Sequence, residues 1–161
     1  MQAENFVDPI DFIIRLNQGG VKYLLIGRQA LVIYGAPLQS FDYDFYIDPS
    51  RETLKKIWKI AKDLRMAIEP PPPKASRKLS LYADNLKVDI FRAKKYPIRS
   101  GDFLFFNEMF KNKKIVRDKD KFFVCLSSLE DLKKTKQTRL TAKDREDIKY
   151  IELLLNTRTG S

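Results

Sequence analysis

The chain has 161 residues, which is enough for one domain with a hydrophobic core of its own. Lysine and arginine exceed aspartate and glutamate by 31 to 21, and this balance favours anionic partners, although a lysine-rich surface can also serve solubility alone. The chain has no histidine and a single cysteine, Cys125. This composition excludes an internal disulfide, a Ser-His triad and most zinc sites, so that any metal centre must be a hard cation held by oxygen atoms.

The ends of the chain predict neither a leader nor a membrane segment. The first residues include acids and no long apolar core, and no apolar run approaches the length of a membrane span. We therefore expect a cytoplasmic protein with no membrane partner. One domain is expected over residues 1–156, followed by a disordered polar tail at 157–161.

Hydrophobic periodicity and capping residues predict alternating helices and strands. In chain order these are a helix in 8–20, a strand in 21–27, a short helix in 28–34, a strand in 42–48, an amphipathic helix in 48–66, a hairpin formed by 78–84 and 86–93, a strand or helix in 103–110, two strands in 113–118 and 121–126, and helices in 128–140 and 142–155. The proline run of residues 69–73 is predicted to be a stiff extended loop.

Three aspartates stand within predicted strands. Asp42 and Asp44 are two residues apart, so they share one face of their strand at about 7 Å spacing. Asp89 lies between Val88 and Ile90, which face the opposite side. If the two strands are neighbours, three carboxylates converge, an arrangement that suits Mg²⁺. The alternative is that these acids only face solvent on an amphipathic sheet.

A glycine lies before Asp42 and Asp44 in the sequence, separated from them by one short predicted helix. Gly27 ends the first predicted strand and opens the helix, whose free N–H groups and dipole favour a phosphate group. A phosphate-binding helix end beside a metal site is what phosphoryl or nucleotidyl transfer requires, because that chemistry depends on positioning and charge neutralisation.

These motifs resemble the DNA polymerase β-like nucleotidyltransferase superfamily. The segment "LLIGRQALVIYGAPLQSFDYDFYID" is similar to its strand, glycine turn, helix and carboxylate strand: Gly27 matches the first glycine, Ser40 the common Thr or Ser, and Asp42 and Asp44 the acid pair. Asp89 matches the third acid. Two residues depart from the pattern: Arg28 replaces the usual second Gly or Ser, and Thr141 a usual Arg.

The C-terminal segment resembles the small stand-alone branch that includes toxin-type members. The matching residues there are Glu130, Asp131, Lys136, Lys143, Asp144, Asp147 and Ile148. Apart from this resemblance, Asp144 and Asp147 are expected to cap and pair within the last helix.

The resemblance implies an α+β fold, a nucleotidyltransferase-like mixed sheet with flanking helices. We expect four to six strands, with the helices mainly on one side. The implied activity is transfer of a nucleotidyl group from an NTP to an RNA or protein hydroxyl. Asp42, Asp44 and Asp89 would act as catalytic and Mg²⁺-binding residues, and Gly27, Arg28, Ser40 and Lys136 would contact the nucleotide.

Several alternatives remain open at this stage. The chain could instead be an inactive relative that binds nucleotide or a partner, or a basic RNA-binding module that uses 112–121 and 133–139. Arg28 could grip phosphate, fill the space that phosphate needs, or point to solvent. The acceptor could be tRNA or another RNA, and an antitoxin could bind the chain. The phenylalanines at 103, 105, 106 and 110 are expected in the core, with a partner surface as the other reading.

Overall fold

The computed structural model describes residues 4–118 and 122–159, with the side chains of 158 and 159 excepted. Its elements are α1 (Pro9–Gln18), β1 (Tyr23–Ile26), α2 (Gly27–Tyr34), β2 (Asp42–Ile47), α3 (Arg51–Asp63), β3 (Ala67–Glu69), β4 (Lys78–Tyr82), β5 (Lys87–Arg92), β6 (Lys95–Pro97), β7 (Phe103–Phe105), α4 (Phe106–Lys111), β8 (Lys114–Asp118), β9 (Phe122–Leu126), α5 (Leu129–Lys136) and α6 (Ala142–Thr159).

Three of the helices begin at a side-chain cap. Asp8 accepts a hydrogen bond from the Ile10 N–H before α1, and Ser50 and Ser128 do the same for Thr53 and Asp131 before α3 and α5. Each side chain satisfies a backbone N–H that has no partner within its helix. The segment 103–110, expected to be a strand or a helix, contains both, since β7 runs directly into α4.

Seven strands form the main sheet, in the order β3-β4-β5-β2-β1-β9-β8. The sheet is mixed, because β2 pairs with β5 and β1 with β9 in parallel, while the other pairs are antiparallel. A mixed sheet is confirmed, but the expected four to six strands are exceeded. The additional strand is β3, which has three residues, lies directly before the proline run and pairs with β4. A segment this short cannot show the alternation of apolar and polar residues that predicts a strand.

The two faces of the sheet are covered differently. On one face, five helices pack against the strands and form the large core, with Phe12 of α1, Leu31 of α2, Leu54 of α3, Leu132 of α5 and Ile151 of α6 all buried. On the other face, α4 and the two-stranded sheet of β6 and β7 cover a smaller cluster. Helices therefore lie mainly on one side, as expected.

Two phenylalanines that lie near the smaller cluster are exposed. The cluster contains Leu24, Tyr46, Phe106 and Met109. Phe103 and Phe105 of β7 are 42% and 49% exposed, so the expectation that all four phenylalanines are core is wrong for these two. Alternation along β7 turns both rings to the outer side, while Leu104 packs inward.

The C-terminal helix is longer than expected. α6 continues to Thr159, past the predicted start of a tail at residue 157, and residues 160 and 161 lie outside the described part of the chain. The predicted turn at 119–120 and the first residue of the strand predicted at 121–126 also lie outside it. No helix in the described ranges is both long enough and apolar enough to cross a membrane.

Candidate functional site

The strands that carry the three aspartates are direct neighbours. β2 and β5 run parallel, with Asp44 opposite Asp89 and Asp42 opposite Lys87. Val88 and Ile90 point into the large core, so Asp89 points to the other face, as do Asp42 and Asp44, which alternate with the core residue Phe45. The predicted juxtaposition of the two strands is confirmed.

Negative charge at Asp44 is poorly compensated. Burial raises the pKa of its carboxyl, and repulsion from Asp89 and Asp42 raises it further, while Lys136 and Lys78 only partly offset both effects. Asp89 has partners of its own, since the Ser80 hydroxyl donates to it at 2.5 Å and the Lys87 ammonium lies 3.7 Å away. Asp42, at the start of β2, is exposed.

The oxygen atoms of these carboxylates suit a hard cation, but the side chains are not arranged as a complete metal site. Within residues 4–118 and 122–159, no group of three or more acidic or cysteine side chains is arranged to hold a metal ion. The hydrogen bond from Ser80 and the ion pair with Lys87 engage both oxygens of Asp89. The donors are nevertheless the oxygen ligands that Mg²⁺ prefers, and the raised pKa of Asp44 marks charge that a cation would neutralise.

The start of α2 lies against Asp44. Gly27 has a φ of +73°, and a Cβ built on it would lie 2.5 Å from Asp44 Oδ2. Any side chain there would therefore be strained and would also displace the carboxylate. No side chain caps α2, so its first N–H groups remain available for a ligand beside Asp44.

Ser40 is engaged with the backbone rather than placed free in the site. Its hydroxyl donates to the backbone carbonyl of Asp42 at 3.1 Å, across the turn that leads into β2. In this geometry Ser40 shapes the approach to the first carboxylate.

Arg28 has partners that the sequence did not indicate. Its Nε and one terminal nitrogen each lie 3.0 Å from Asp147 Oδ1, and the same terminal nitrogen lies 3.4 Å from Glu146 of α6. The side chain is only 16% exposed, so the reading in which it points to solvent is wrong. A direct contact with phosphate remains a prediction, and it would compete with these carboxylates.

Lys136 also lies against α6. Its ammonium is 2.9 Å from Asp147 Oδ2 and 3.8 Å from Asp144 Oδ1, with the side chain 10% exposed. Lys136 is close enough to Asp44 to lower the pKa of that carboxyl. It therefore stands between the acids of α6 and the acids of the sheet.

The two acids of α6 do more than pair within their own helix. Asp144 does form a reciprocal cap with Thr141: the Thr141 hydroxyl donates to Asp144 Oδ2 at 2.8 Å and accepts from the Asp144 N–H at 3.1 Å. Burial would raise the pKa of Asp144, but Thr141, Lys136 and Arg139 lower it overall. Asp147, which is fully buried, binds cations from α2 and α5, so the expectation of pairing inside α6 is wrong for it.

Sequence reasoning missed Tyr96 as well. This residue of β6 is half-buried and close enough to Asp44 and Asp144 to feel both charges. Burial raises the pKa of its phenol, Arg139 lowers it, and Asp144 and Asp44 raise it further. Thr138, in the α5–α6 connection, donates to the Pro97 carbonyl at 3.3 Å. No motif signal marks Tyr96, because its placement depends on how the β6–β7 hairpin folds over the sheet.

A mixed sheet with paired carboxylates beside a glycine-opened helix defines a nucleotidyltransferase fold, and solved structures bear this out. The lincosamide antibiotic adenylyltransferase LnuA, solved with lincomycin bound, matches with a TM-score of 0.65 and 18% identity over 94% of this chain and 99% of its own. TM1012 of Thermotoga maritima, a candidate nucleotidyltransferase, matches with a TM-score of 0.57 and 20% identity over 91% and 89%.

A third likeness is to the antibiotic-resistance factor ANT(2'')-Ia, with a TM-score of 0.55 and 10% identity over 92% of this chain and 89% of that one. No family model matches the chain, and no curated protein matches it in sequence. At these identities the likeness concerns the fold alone, and it confirms the predicted nucleotidyltransferase-like fold.

Proposed function

We propose that this chain is a Mg²⁺-dependent nucleotidyltransferase that moves a nucleotidyl group from an NTP to a hydroxyl acceptor. The observation that carries the proposal is the register of β2 and β5, which sets Asp44 opposite Asp89 at the open end of α2. Carboxylates repel phosphate, so their place beside a phosphate-binding helix end makes chemical sense when a divalent cation lies between them.

Each of the named residues has a role in this proposal. Asp42 and Asp44 would hold the metal, which when bound supplies charge neutralisation at the phosphates. Asp89 would complete the metal site and take the proton of the attacking hydroxyl. The first N–H groups of α2, beginning at Gly27, would face the phosphates, and Lys136 would contribute a fixed positive charge.

Asp89 can take up this role only if its contacts change. Its hydrogen bond from Ser80 and its ion pair with Lys87 hold the carboxylate in one orientation. Both partners lie beside Asp89 on the sheet, so Asp89 would have to release Lys87 in order to help hold a metal ion.

For the acceptor we propose a hydroxyl of RNA or protein, with tRNA among the candidates. The net charge of +10 and the exposed Arg139, whose side chain is 72% exposed beside Asp144, favour a polyanion. A toxin role with a protein antitoxin rests on the resemblance of the C-terminal segment. An antibiotic hydroxyl is the second candidate, favoured by the lincomycin-bound neighbour.

The test is transfer from labelled NTPs with Mg²⁺, offered separately to whole-cell RNA, to cell proteins and to a panel of antibiotics. Labelling that disappears in Asp44→Asn but persists in Glu52→Gln, an exposed acid in the first turn of α3, supports the proposal. NTP binding that needs no metal and produces no transfer would indicate an inactive relative. Salt-sensitive RNA binding alone would indicate an RNA-binding module.

A further inference from the structure

Four charged side chains form a cluster between α2, α5 and α6, which we call the α6 charge cluster: Arg28, Lys136, Asp144 and Asp147. Asp147 is its centre, since it is fully buried and each of its oxygens faces a different cation. Oδ1 accepts a hydrogen bond from Arg28 Nε, and a terminal nitrogen of Arg28 also lies 3.0 Å from it. Oδ2 lies 2.9 Å from the Lys136 ammonium.

Stability alone is a weak reason to bury such a cluster. Removing charges from water has a cost that ion pairing only partly returns, so apolar residues of similar volume often serve a fold equally well. The cluster borders Asp44, because Arg28 directly follows Gly27, whose backbone lies against the Asp44 carboxylate. Buried charges that border a cleft are more often tied to function than buried charges elsewhere.

We propose that Asp147 is a positioning residue that divides its charge between Arg28 and Lys136. This inference rests on the proposed function, because it assigns Lys136 to the phosphates of the NTP. The contact with Asp147 holds the Lys136 ammonium beside Asp44. Arg28 pairs with the other carboxylate oxygen of Asp147. It therefore limits how strongly Asp147 competes with an incoming phosphate for Lys136.

The same contact gives Arg28 a role that does not require it to touch the nucleotide. Arg28 is the second residue of α2, directly after Gly27, so its bond to Asp147 ties the phosphate-facing end of α2 to α6. Glu146 adds a second, more exposed anchor at 3.4 Å. A glycine or serine at position 28 would leave Lys136 as the principal counter-ion of Asp147.

This arrangement makes a specific prediction about NTP affinity. In Arg28→Met, the undivided charge of Asp147 competes with phosphate for Lys136, and α2 loses its anchor. We expect binding of Mg²⁺ and a non-hydrolysable NTP to weaken by about tenfold, the size of one charge-assisted contact. In a Lys136→Met background the competition no longer exists, so Arg28→Met should weaken binding far less there.

Isothermal titration of the parent, Arg28→Met, Lys136→Met and the double variant tests this. Loss of affinity in Arg28→Met that largely disappears in the Lys136→Met background supports the inference, as does partial rescue by Arg28→Lys. Equal losses in both backgrounds overturn it and indicate that Arg28 acts independently of Lys136, either by contacting phosphate itself or only by anchoring α2. Tighter binding in Arg28→Met, or no change, also overturns it. Arg15→Met, which removes an exposed arginine on α1, serves as the matched control.

The titration separates this inference from the proposed function. If the non-additive binding pattern is found but no acceptor is ever labelled, the proposed transfer fails and the positioning role stands. If transfer is found but the two substitutions act additively, only the positioning role fails. A parent protein that binds no NTP with Mg²⁺ overturns both.

Discussion

The molecule places two groups of acids near one another and treats them in opposite ways. On β2 and β5, Asp44 stands opposite Asp89, and burial with like-charge repulsion raises the pKa of Asp44. On α6, Asp144 and Asp147 are more deeply buried, yet each has cationic or hydrogen-bonding partners, and the pKa of Asp144 is lowered.

The difference shows which acids the fold has already neutralised and which it has left for a ligand. The acids of α6 receive Arg28 and Lys136 from the chain itself, so they belong to the structure of the site. Among the acids of the sheet, Asp44 holds negative charge that Lys136 and Lys78 only partly offset, which suits binding of a cation. Burial alone does not distinguish the two groups, whereas the partners of each carboxylate do.

The largest expected effect is on activity, at the sheet acids. Asp44→Asn removes a proposed metal ligand, and with several kcal/mol of charge stabilisation at stake we expect transfer to fall by roughly a thousandfold or more. The fold should persist, because repulsion is relieved. The measurement is NTP transfer together with circular dichroism. Transfer that is retained in both Asp44→Asn and Asp42→Asn would contradict the assignment of these residues as metal ligands.

The next largest effect is on stability, at the α6 acids. Asp147→Asn leaves Arg28 and Lys136 largely buried without their common counter-ion, and removing one partner of a buried pair costs about 3–5 kcal/mol. Denaturant unfolding should show this loss. The control is Asp63→Asn, whose ion pairs are partly exposed and should be worth less than about 1 kcal/mol. Equal losses in the two variants would mean that the α6 cluster is not energetically special.

A smaller effect is expected where the two regions meet, at Gly27. Gly27→Ala forces a left-handed conformation that costs roughly 1–2 kcal/mol, and its methyl group would also push against Asp44. Gly20→Ala is the matched control, because Gly20 has a φ of +66° with no atom within 4 Å of the added carbon. Unfolding should therefore show similar strain in both variants, while only Gly27→Ala should lose metal-dependent NTP binding.

The smallest effect is the pH dependence of stability without metal. The folded-state pKa of Asp44 is raised, so its ionised form opposes folding at neutral pH, and Asp44→Asn should be more stable than the parent there. That advantage should shrink as the pH falls through the raised pKa. Thermal unfolding across this pH range measures it.

Substitution of Asp144 should change the stability of the fold in the opposite direction. Its folded-state pKa is lowered, so its ionised form stabilises the fold at neutral pH, and the parent should be more stable than Asp144→Asn. This advantage should be lost only as the pH falls below the ordinary aspartate range and through the lowered pKa. The same sign for both variants would remove the distinction between the two acidic regions.

The sequence was sufficient for the parts of the site that depend on short-range patterns. The spacing of Asp42 and Asp44, the single acid in an apolar strand at Asp89 and the glycine at the end of β1 each follow from alternation or turn chemistry. The partners of Arg28 could not be found in this way. Asp147 is 119 residues away, and the spacing of charges within α6 suggested partners nearer in the sequence.

The central position of Asp147 also has a consequence for protein synthesis. The sheet acids and Gly27 lie in the first two thirds of the chain, but the counter-ion of Arg28 and Lys136 belongs to α6, the last helix described. A chain emerging from the ribosome can pair β2 with β5 before α6 exists. Until α6 docks, Lys136 lacks its carboxylate partners Asp144 and Asp147, so a nascent or C-terminally truncated chain should carry the sheet acids without the proposed phosphate contact.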